Sequence, residues 1–269
     1  MAQGDSEVWS SYLPRYYSEI DGHHEFYLTC LHRFFKSYQP PAGGAKLLEF
    51  GGGAVVSNLI SAAPKCKEIV FGEFEEDNRD GVNLWLNKDP LAFNWQLFFS
   101  YVVDTLEGGT EESIEERKEL LRKTVKAVVP FDIIQTDPVE DKGPYDIVTS
   151  AFCLESICLT KEQYLESVAK VAHLLKPGGI FVMQAHEGVH SWVHAGRMMD
   201  QYPISRELLR EALESAGLSQ IKMEIQPCES LQAKELDSIP GLTSLMFVVA
   251  TKAADWSNSY NTYVRSLAI

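Results

Sequence analysis

The chain has 269 residues, 45% of them hydrophobic, which suffices for one large α/β domain with its own core. Acidic residues outnumber basic ones by 38 to 24, and the net charge of −14 disfavours a nucleic-acid partner, because most of the surface would repel a polyanion. The five cysteines form no C-x-x-C pair, which indicates reduced thiols in a cytoplasmic protein. Neither a secretory leader nor a membrane-spanning apolar run is predicted.

The order of predicted elements is typical of an α/β fold. Residues 1–40 are predicted to be helical, because apolar and aromatic residues recur at steps of three and four. Strand-like runs then alternate with helical patterns, which predicts a mostly parallel sheet covered by helices on both faces. These segments are 46–50, 57–63, 68–72, 78–87, 145–150, 161–175 and 180–184. A charged amphipathic helix is predicted within 108–129, and two final strands over 220–226 and 243–251, which suit an antiparallel addition at the sheet edge.

A glycine-rich turn follows the first predicted strand. Residues 46–50 run directly into Gly51, Gly52 and Gly53, and a helical pattern comes next. Glycine suits such a turn because it adopts unusual φ values and lets a ligand approach the backbone. The dinucleotide fingerprint G-x-G-x-x-G would require glycine where this chain has Val56, which disfavours an NAD-dependent oxidoreductase. For the glycines alone, a tight turn without a ligand stays an alternative.

Two acidic positions downstream are candidates for binding a nucleoside. Glu73 closes the next predicted strand about 20 residues beyond the glycines, where a Rossmann-like sheet places a carboxylate that accepts hydrogen bonds from ribose hydroxyls. Its alternative is an ordinary acid in an acid-rich loop. Asp132 stands beside the apolar Ile133, a pair suited to accept a hydrogen bond from an adenine amino group while the neighbour packs on the ring.

The string L-K-P-G-G at 175–179 combines a helix end, a proline, a double-glycine turn and a buried strand. Downstream of the E-F-G-G-G turn at 49–53, it resembles the S-adenosylmethionine-dependent methyltransferases of the Rossmann-like class. Further matches narrow the resemblance to the nicotinamide, phenylethanolamine and thioether/indolethylamine N-methyltransferases, over residues 12 to about 252. They are Y-L-P-R-Y-Y at 12–17, Glu73-Phe74 with Asn78, Trp85-Leu86 with Pro90, Phe93 with Trp95, Asp132-Ile133, and Cys153-Leu154-Glu155.

This resemblance implies an α/β, Rossmann-like methyltransferase with a mostly parallel seven-stranded sheet. We expect a single domain over residues 1–269, with a helical lid at 1–40 and the Rossmann-like core at 45–252. The resemblance implies S-adenosylmethionine as cofactor, S-adenosylhomocysteine as product, and a monomer. The implied cofactor-binding residues are Tyr12, Tyr17, Glu49, Gly51, Gly53, Ser57, Glu73, Phe74, Asn78, Asp132, Ile133 and Ala151.

Within that set, the tyrosines and glycines are expected at the amino-acid end of the cofactor, Glu73 and Asn78 at the ribose, and Asp132 and Ile133 at the adenine. The chain departs from the family in two places. It has E-F-G-G-G-A at 49–54 where the family has D-I-G-S-G-P, and Ser57 where a tyrosine is frequent. The first change keeps the chemistry, and the second removes one possible hydroxyl or ring contact.

The residues expected to bind the methyl acceptor follow the family pattern less closely than the cofactor residues do. Methyl transfer from a sulfonium is an in-line displacement that needs alignment and exclusion of water, but no metal and no covalent nucleophile. Candidate acceptor-binding residues are Tyr16, Phe152, Gln184, His190 and Trp192, and candidate catalytic residues are Glu155, His186 and Asp237. The alternative for the histidines is a surface loop. A zinc site at His186, His190 and His194 is disfavoured, since Gly188 and Gly196 weaken the helix that it requires.

The pattern after the K-P-G-G strand favours an amine acceptor over nicotinamide. Nicotinamide-specific relatives have an aspartate there, whereas this chain has Gln184-Ala185. H-S-W-V at 190–193 is similar to the E-S-W-Y of phenylethanolamine enzymes. We therefore expect an N-methyltransferase for a small amine or pyridine, acting on neither nucleic acid nor membranes. The alternatives are a nicotinamide N-methyltransferase proper and a catalytically silent cofactor-binding protein of the same fold.

Overall fold

The computed structural model describes residues 9–135, 138, 143–194, 197–230 and 239–254. Among these residues, no helix is long and apolar enough to cross a membrane. The chain divides into two compact units, the first formed mainly by the residues up to Phe131 and the second mainly by those from Asp132 onward. The expected single domain over 1–269 stays a prediction, and each unit is described by itself.

The first unit has three parallel strands with helices before and between them. Its helices are α1 (Trp9–Tyr16), α2 (Gly22–Ser37), α3 (Glu76–Leu86), α4 (Gln96–Ser100), which continues as a π-helical segment over Tyr101–Leu106, and α5 (Glu111–Thr124). Its strands are β1 (Ala45–Phe50), β2 (Cys66–Glu73) and β3 (Val125–Pro130). β2 pairs in parallel with both β1 and β3. The register places Phe50 opposite Gly72, so the glycine turn and Glu73 leave the sheet side by side.

The second unit combines a parallel strand pair with antiparallel additions. Its helices are α6 (Leu154–Ile157), α7 (Lys161–Leu174) and α8 (Arg206–Ser215). Its strands are β4 (Tyr145–Ala151), β5 (Leu175–Glu187), β6 (Ser191–His194), β7 (Arg197–Asp200), β8 (Leu218–Pro227) and β9 (Ser244–Lys252). β4 and β5 are parallel, while β9 is antiparallel to both β5 and β8. Ala151 pairs with Gln184, so the end of β4 lies beside the later part of β5.

The predicted fold class is confirmed. Seven strands form one sheet in the order β3-β2-β1-β4-β5-β9-β8, and β6 and β7 form a separate pair. Most pairings are parallel, and the two carboxyl-terminal strands add the antiparallel pairs that the sequence predicted.

Two predicted helices differ from the structure. Residues 57–63 contain no α-helix: short 3₁₀ turns occupy Ser57–Leu59 and Ala63–Lys65. Apolar residues from Ala54 to Ile60 are buried on all sides rather than along one stripe, and Pro64 has no N–H to continue a helix. The helix predicted within 108–129 ends at Thr124, because the β-branched run that follows pairs with β2 as strand β3.

Helix α1, part of the segment predicted as a lid, docks on α3 through a glycine. An added Cβ on Gly81 would lie 2.8–3.0 Å from the indole ring of Trp9, and the neighbouring lid residue Leu13 is only 1% exposed. The absence of a side chain at position 81 therefore allows the lid to approach α3.

We expect Gly81→Ala to lower the free energy of unfolding by about 1–3 kcal/mol, because the added methyl overlaps the Trp9 ring. In a Trp9→Ala background the same substitution is expected to raise stability by about 1 kcal/mol, since alanine is the better helix former once the ring is gone. Denaturant unfolding of the four proteins measures both effects. The same sign in both backgrounds would show that Trp9 does not pack on this glycine.

Candidate active site

The glycine turn and the end of β2 are joined through the carboxylate of Glu73. Oε2 accepts a hydrogen bond from the Gly53 N–H at 3.0 Å, and Oε1 accepts from the Glu75 N–H at 3.0 Å and from Asn78 Nδ2 at 3.4 Å. The side chain is 5% exposed, and burial raises its pKa although these hydrogen bonds act in the opposite direction. A carboxylate has about four lone-pair positions, so Glu73 retains capacity for hydroxyl donors.

Tyr12 of α1 lies directly against the glycine turn. Its hydroxyl accepts a hydrogen bond from the Ala54 N–H at 2.6 Å. Gly53 has φ of 63°, and an added Cβ there would lie only 2.5 Å from the Tyr12 hydroxyl. Any larger residue at position 53 would therefore strain the backbone and displace the tyrosine.

Tyr17 belongs to an aromatic cluster with residues of α2 and α4. Its ring centroid lies 5.2 Å from that of His24, 5.3 Å from Trp95 and 5.6 Å from Phe98. Burial raises the pKa of its hydroxyl, and the charges of Asp21 and Glu49 raise it further, so Tyr17 is a neutral hydroxyl at physiological pH.

The other predicted cofactor residues of the first unit surround this turn. Glu49 is buried at the end of β1, and an added Cβ on Gly52 would lie 2.9 Å from its Oε1. Asn78 Oδ1 is buried with no hydrogen-bond partner among the described residues, whereas the Phe74 ring is 61% exposed. Ser57 is buried in its 3₁₀ turn. An exposed ring and a buried acceptor beside Glu73 are compatible with a bound nucleoside.

The adenine candidates lie at the start of the second unit. Asp132 stabilises a turn: its Oδ1 accepts from the Ile134 N–H at 3.0 Å and its Oδ2 from Gln135 Nε2 at 3.1 Å. Ile133 is 2% exposed, and its carbonyl accepts from the buried Lys170 Nζ at 3.1 Å. The turn is thus fixed at both residues.

Phe152, directly after β4, and His186, within β5, form an aromatic pair. Their ring centroids are 4.4 Å apart with an interplanar angle of 28°, and the Phe152 N–H donates to the Gln184 carbonyl at 2.9 Å. Phe152 has φ of 54°, a strained value for a bulky side chain, and such strain is concentrated at functional sites. Burial lowers the pKa of His186 to about 4, so its imidazole is neutral at physiological pH.

Glu155 is the buried acid of this region. It is 1% exposed, and its Oε1 accepts a hydrogen bond from the His186 N–H at 3.3 Å. Its Oε2 is buried with no hydrogen-bond partner among the described residues. Burial raises the pKa of Glu155 to about 7, although hydrogen bonds from its own N–H and that of His186 lower it.

The remaining acceptor candidates are spread over different surroundings. Gln184, within β5, is 4% exposed, and Ala151, at the end of β4, is 5% exposed. His190 is exposed and Trp192 is partly buried on β6, while Tyr16, in the first unit, lies 5.0 Å from the Arg15 guanidinium. Asp237 lies outside the described residues. His186, His190 and His194 fall on strands and a turn, so the helical spacing that a zinc site there would use is absent.

Comparison with known proteins identifies the family. The model of the NNMT/PNMT/TEMT family matches residues 9–253. Phenylethanolamine N-methyltransferase of Rattus norvegicus is 32% identical over 207 residues, covering 74% of this chain and 70% of that protein. Nicotinamide N-methyltransferase of Homo sapiens is 32% identical over 176 residues, 65% of this chain and 66% of that protein. The chain belongs to the NNMT/PNMT/TEMT family. Accordingly, it is an S-adenosylmethionine-dependent N-methyltransferase.

The match to indolethylamine N-methyltransferase of Oryctolagus cuniculus is 29% identical over 229 residues, 80% of this chain and 85% of that protein. Solved structures agree on the fold. N-methyltransferase NodS from Bradyrhizobium japonicum WM9, in complex with S-adenosylhomocysteine, gives a TM-score of 0.51 at 13% identity, covering 91% of this chain and 99% of that one. The 1,6-didemethyltoxoflavin-N1-methyltransferase of Burkholderia thailandensis gives 0.52 at 14% identity, covering 91% and 85%.

The buried acid Glu187, at the end of β5, has its own partners. Glu187 accepts from the Arg206 N–H at 3.2 Å, from Arg206 Nε at 2.9 Å and from the Ser244 hydroxyl at 2.9 Å. The hydrogen bond from the Arg206 side chain holds the pKa of Glu187 below its ordinary value. Its carboxylate therefore connects β5 to α8 and β9 by hydrogen bonds. No local pattern in the sequence predicts this role, because these partners are distant along the chain.

We expect Glu187→Gln to lower the unfolding free energy at pH 7 by about 1 kcal/mol, since solvent around the half-exposed Arg206 screens the pair. The folded pKa is depressed, so this stability is present above the unfolded pKa and disappears as pH falls through the folded value. Urea unfolding at pH 7 and pH 3.5 tests this, with the exposed Glu207→Gln as control. If the variant's unfolding free energy differs from that of wild type by the same amount at both pH values, the ion pair does not contribute to stability.

Proposed function

We propose that this N-methyltransferase transfers the methyl group of S-adenosylmethionine to the amine nitrogen of a small aromatic or alkyl amine. The observation that supports this most directly is Glu155, a buried carboxyl group with one oxygen unpaired among the described residues, beside the stacked rings of Phe152 and His186. A carboxylate binds an ammonium group strongly in such a low-dielectric environment, and the rings suit an apolar substrate body.

The proposed reaction requires a neutral amine. The ammonium form first loses a proton; the nitrogen lone pair then attacks the methyl carbon in line with the breaking carbon–sulfur bond, whose electron pair returns to sulfur and gives S-adenosylhomocysteine. Alignment supplies most of the acceleration, on the order of 7–11 kcal/mol for well-oriented reactants. The secondary-amine product is formed as a cation and releases one proton.

Glu155 is better suited than His186 to accept the substrate proton. Its pKa of about 7 leaves a carboxylate available near neutral pH, where general bases are most effective. His186, with a pKa of about 4, is a weak base, and we assign its ring to packing on Phe152 and the acceptor. Because Glu187 is bound to Arg206 and Ser244, Glu155 carries the proposed charge recognition among the described acceptor residues.

For the cofactor we propose the residues that the family resemblance implies. Glu73 binds the ribose hydroxyls with Asn78, Tyr12 and Tyr17 close over the methionine end at Gly51 and Gly53, and Phe74 packs beside the nucleoside. The capacity left on Glu73, the buried Asn78 Oδ1 and the exposed Phe74 support this arrangement. The turn at Asp132 and Ile133, with Ala151, is proposed for the adenine and its surroundings. Phe152, Gln184, His190, Trp192 and Tyr16 are proposed for the acceptor.

We also propose that the enzyme is a cytoplasmic monomer that acts on free small molecules rather than on nucleic acid or membranes. The net charge of −14 supports the exclusion of polyanions.

Calorimetric titration followed by an acceptor screen tests the proposed function. We expect the purified full chain to bind S-adenosylmethionine and S-adenosylhomocysteine and to show no heat with NAD. A screen with methyl-labelled S-adenosylmethionine against phenylethylamines, tryptamine and nicotinamide is expected to label an amine best. Cofactor binding without transfer to any acceptor would favour the catalytically silent alternative.

A further inference from the structure

Three side chains that commonly bind metals meet at the junction between α1 and α2. Asp21, His23 and His24 each place a ligand atom within 4.8 Å of the other two. Asp21 is the N-cap of α2 and accepts a hydrogen bond from the His24 N–H at 3.0 Å, so the cap itself positions both histidines in the first helical turn. All three side chains are partly buried, and none belongs to the proposed cofactor or acceptor residues.

The contact between Asp21 and His24 is short but lacks hydrogen-bond geometry. Nδ1 of His24 lies 2.8 Å from Oδ1 of Asp21, yet this buried nitrogen has no partner that satisfies the angular requirement of a hydrogen bond. Nδ1 of His24 and Oδ1 of Asp21 are therefore close enough to bind the same cation.

Two imidazoles and a carboxylate are a donor set that suits zinc and related divalent ions, and water completes the coordination. Zinc–ligand bonds of about 2.0–2.2 Å place neighbouring ligand atoms about 3.4 Å apart in a tetrahedron. The ligand atoms lie up to 4.8 Å apart, and they reach this spacing when rotations about the side-chain bonds move them by roughly 1 Å. The strongly acidic chain also attracts cations to its surface.

We propose that Asp21, His23 and His24 bind one divalent transition-metal ion, such as Zn²⁺, and that this ion fixes the junction between the lid helix and α2. The ring of His24 packs on Tyr17 at 5.2 Å, and Tyr17 packs on Trp95 at 5.3 Å. An ion at this junction therefore restrains the segment that carries the lid tyrosine. Methyl transfer itself requires no metal, so the ion is structural.

Titration of the metal-free, tag-free full chain with Zn²⁺ tests the site. We expect one ion per chain with a Kd of about 10 μM or tighter, measured by calorimetry. His23→Ala removes one ligand, and Asp21→Asn removes the anion while keeping a good N-cap; each is expected to weaken binding at least about tenfold. His173→Ala, at an exposed histidine on α7, is expected to leave Zn²⁺ affinity unchanged.

Two further readouts locate the ion. Substitution with Co²⁺ is expected to give visible d–d bands without a thiolate charge-transfer band, and Zn²⁺ is expected to slow amide exchange in residues 17–24 of wild type but not of His23→Ala. Wild-type affinity in both variants, no binding up to 1 mM Zn²⁺, a thiolate band, or unchanged exchange at full occupancy would each overturn the proposal. None of these outcomes depends on the acceptor or on activity.

Discussion

Glu155→Gln is expected to lower kcat/KM for an amine acceptor by about 10²-fold or more at pH 8, because the variant can neither hold the ammonium group by charge nor accept its proton. In wild type, kcat/KM is expected to rise as Glu155 ionises near its pKa of about 7. This part of the rise disappears in the variant, whereas the part that comes from deprotonation of the amine remains. Initial rates over pH 6–9 with saturating S-adenosylmethionine measure both effects. The exposed Glu162→Gln on α7 is the matched control.

The stability of this variant separates a lost function from a lost fold. The folded pKa of Glu155 lies above its unfolded value, so wild type loses stability as pH rises from about 4 through 7, where folding comes to require a buried carboxylate. Glutamine does not carry that charge, and the variant is expected to be at least as stable as wild type at pH 8. Wild-type activity and an unchanged pH profile in the folded variant would remove Glu155 from the proposed mechanism.

Glu73→Ala is expected to weaken S-adenosylmethionine binding about 10- to 100-fold, since hydrogen bonds to a charged group contribute roughly 1.5–3 kcal/mol. The substitution also removes the acceptor of the Gly53 N–H, which loosens the glycine turn. Calorimetry on Glu73→Ala and on the near-isosteric Glu73→Gln measures the loss, with the exposed Glu76→Ala as control. A folded Glu73→Ala variant with wild-type affinity would end the ribose assignment.

The proximity of the glycine turn and Glu73 was predictable because consecutive parallel strands carry them. When β1 and β2 pair in parallel, the residues after Phe50 and after Gly72 must emerge together, and the hydrogen bond between Gly53 and Glu73 follows from that topology. The helix expected after the glycines was wrong for a local reason: a segment buried on all sides has no apolar stripe, and 3₁₀ turns fit it into the core.

The contacts around the acceptor candidates were harder to predict, because they join residues that are distant in the sequence. The role of Glu187 could not be predicted from the sequence, because its partners Arg206 and Ser244 lie on later elements that no local pattern connects to it. His186 looked like a titratable candidate, whereas its stacking on Phe152 and its depressed pKa follow from tertiary burial. The docking of Trp9 on Gly81 likewise depends on two helices that are distant in the sequence.

The pH dependence of kcat/KM for a phenylethylamine, tryptamine and nicotinamide between pH 7 and 9 tests the proposed amine acceptor most directly. An amine reacts only when neutral, so its kcat/KM is expected to rise with pH, while a pyridine nitrogen is already unprotonated and gives a nearly flat profile. We expect an amine to be the best acceptor, with a kcat/KM that rises with pH. A tenfold or greater preference for nicotinamide, with a flat pH profile, would contradict the proposed amine acceptor. It would indicate that Gln184, His186 or a backbone group binds the carboxamide of nicotinamide.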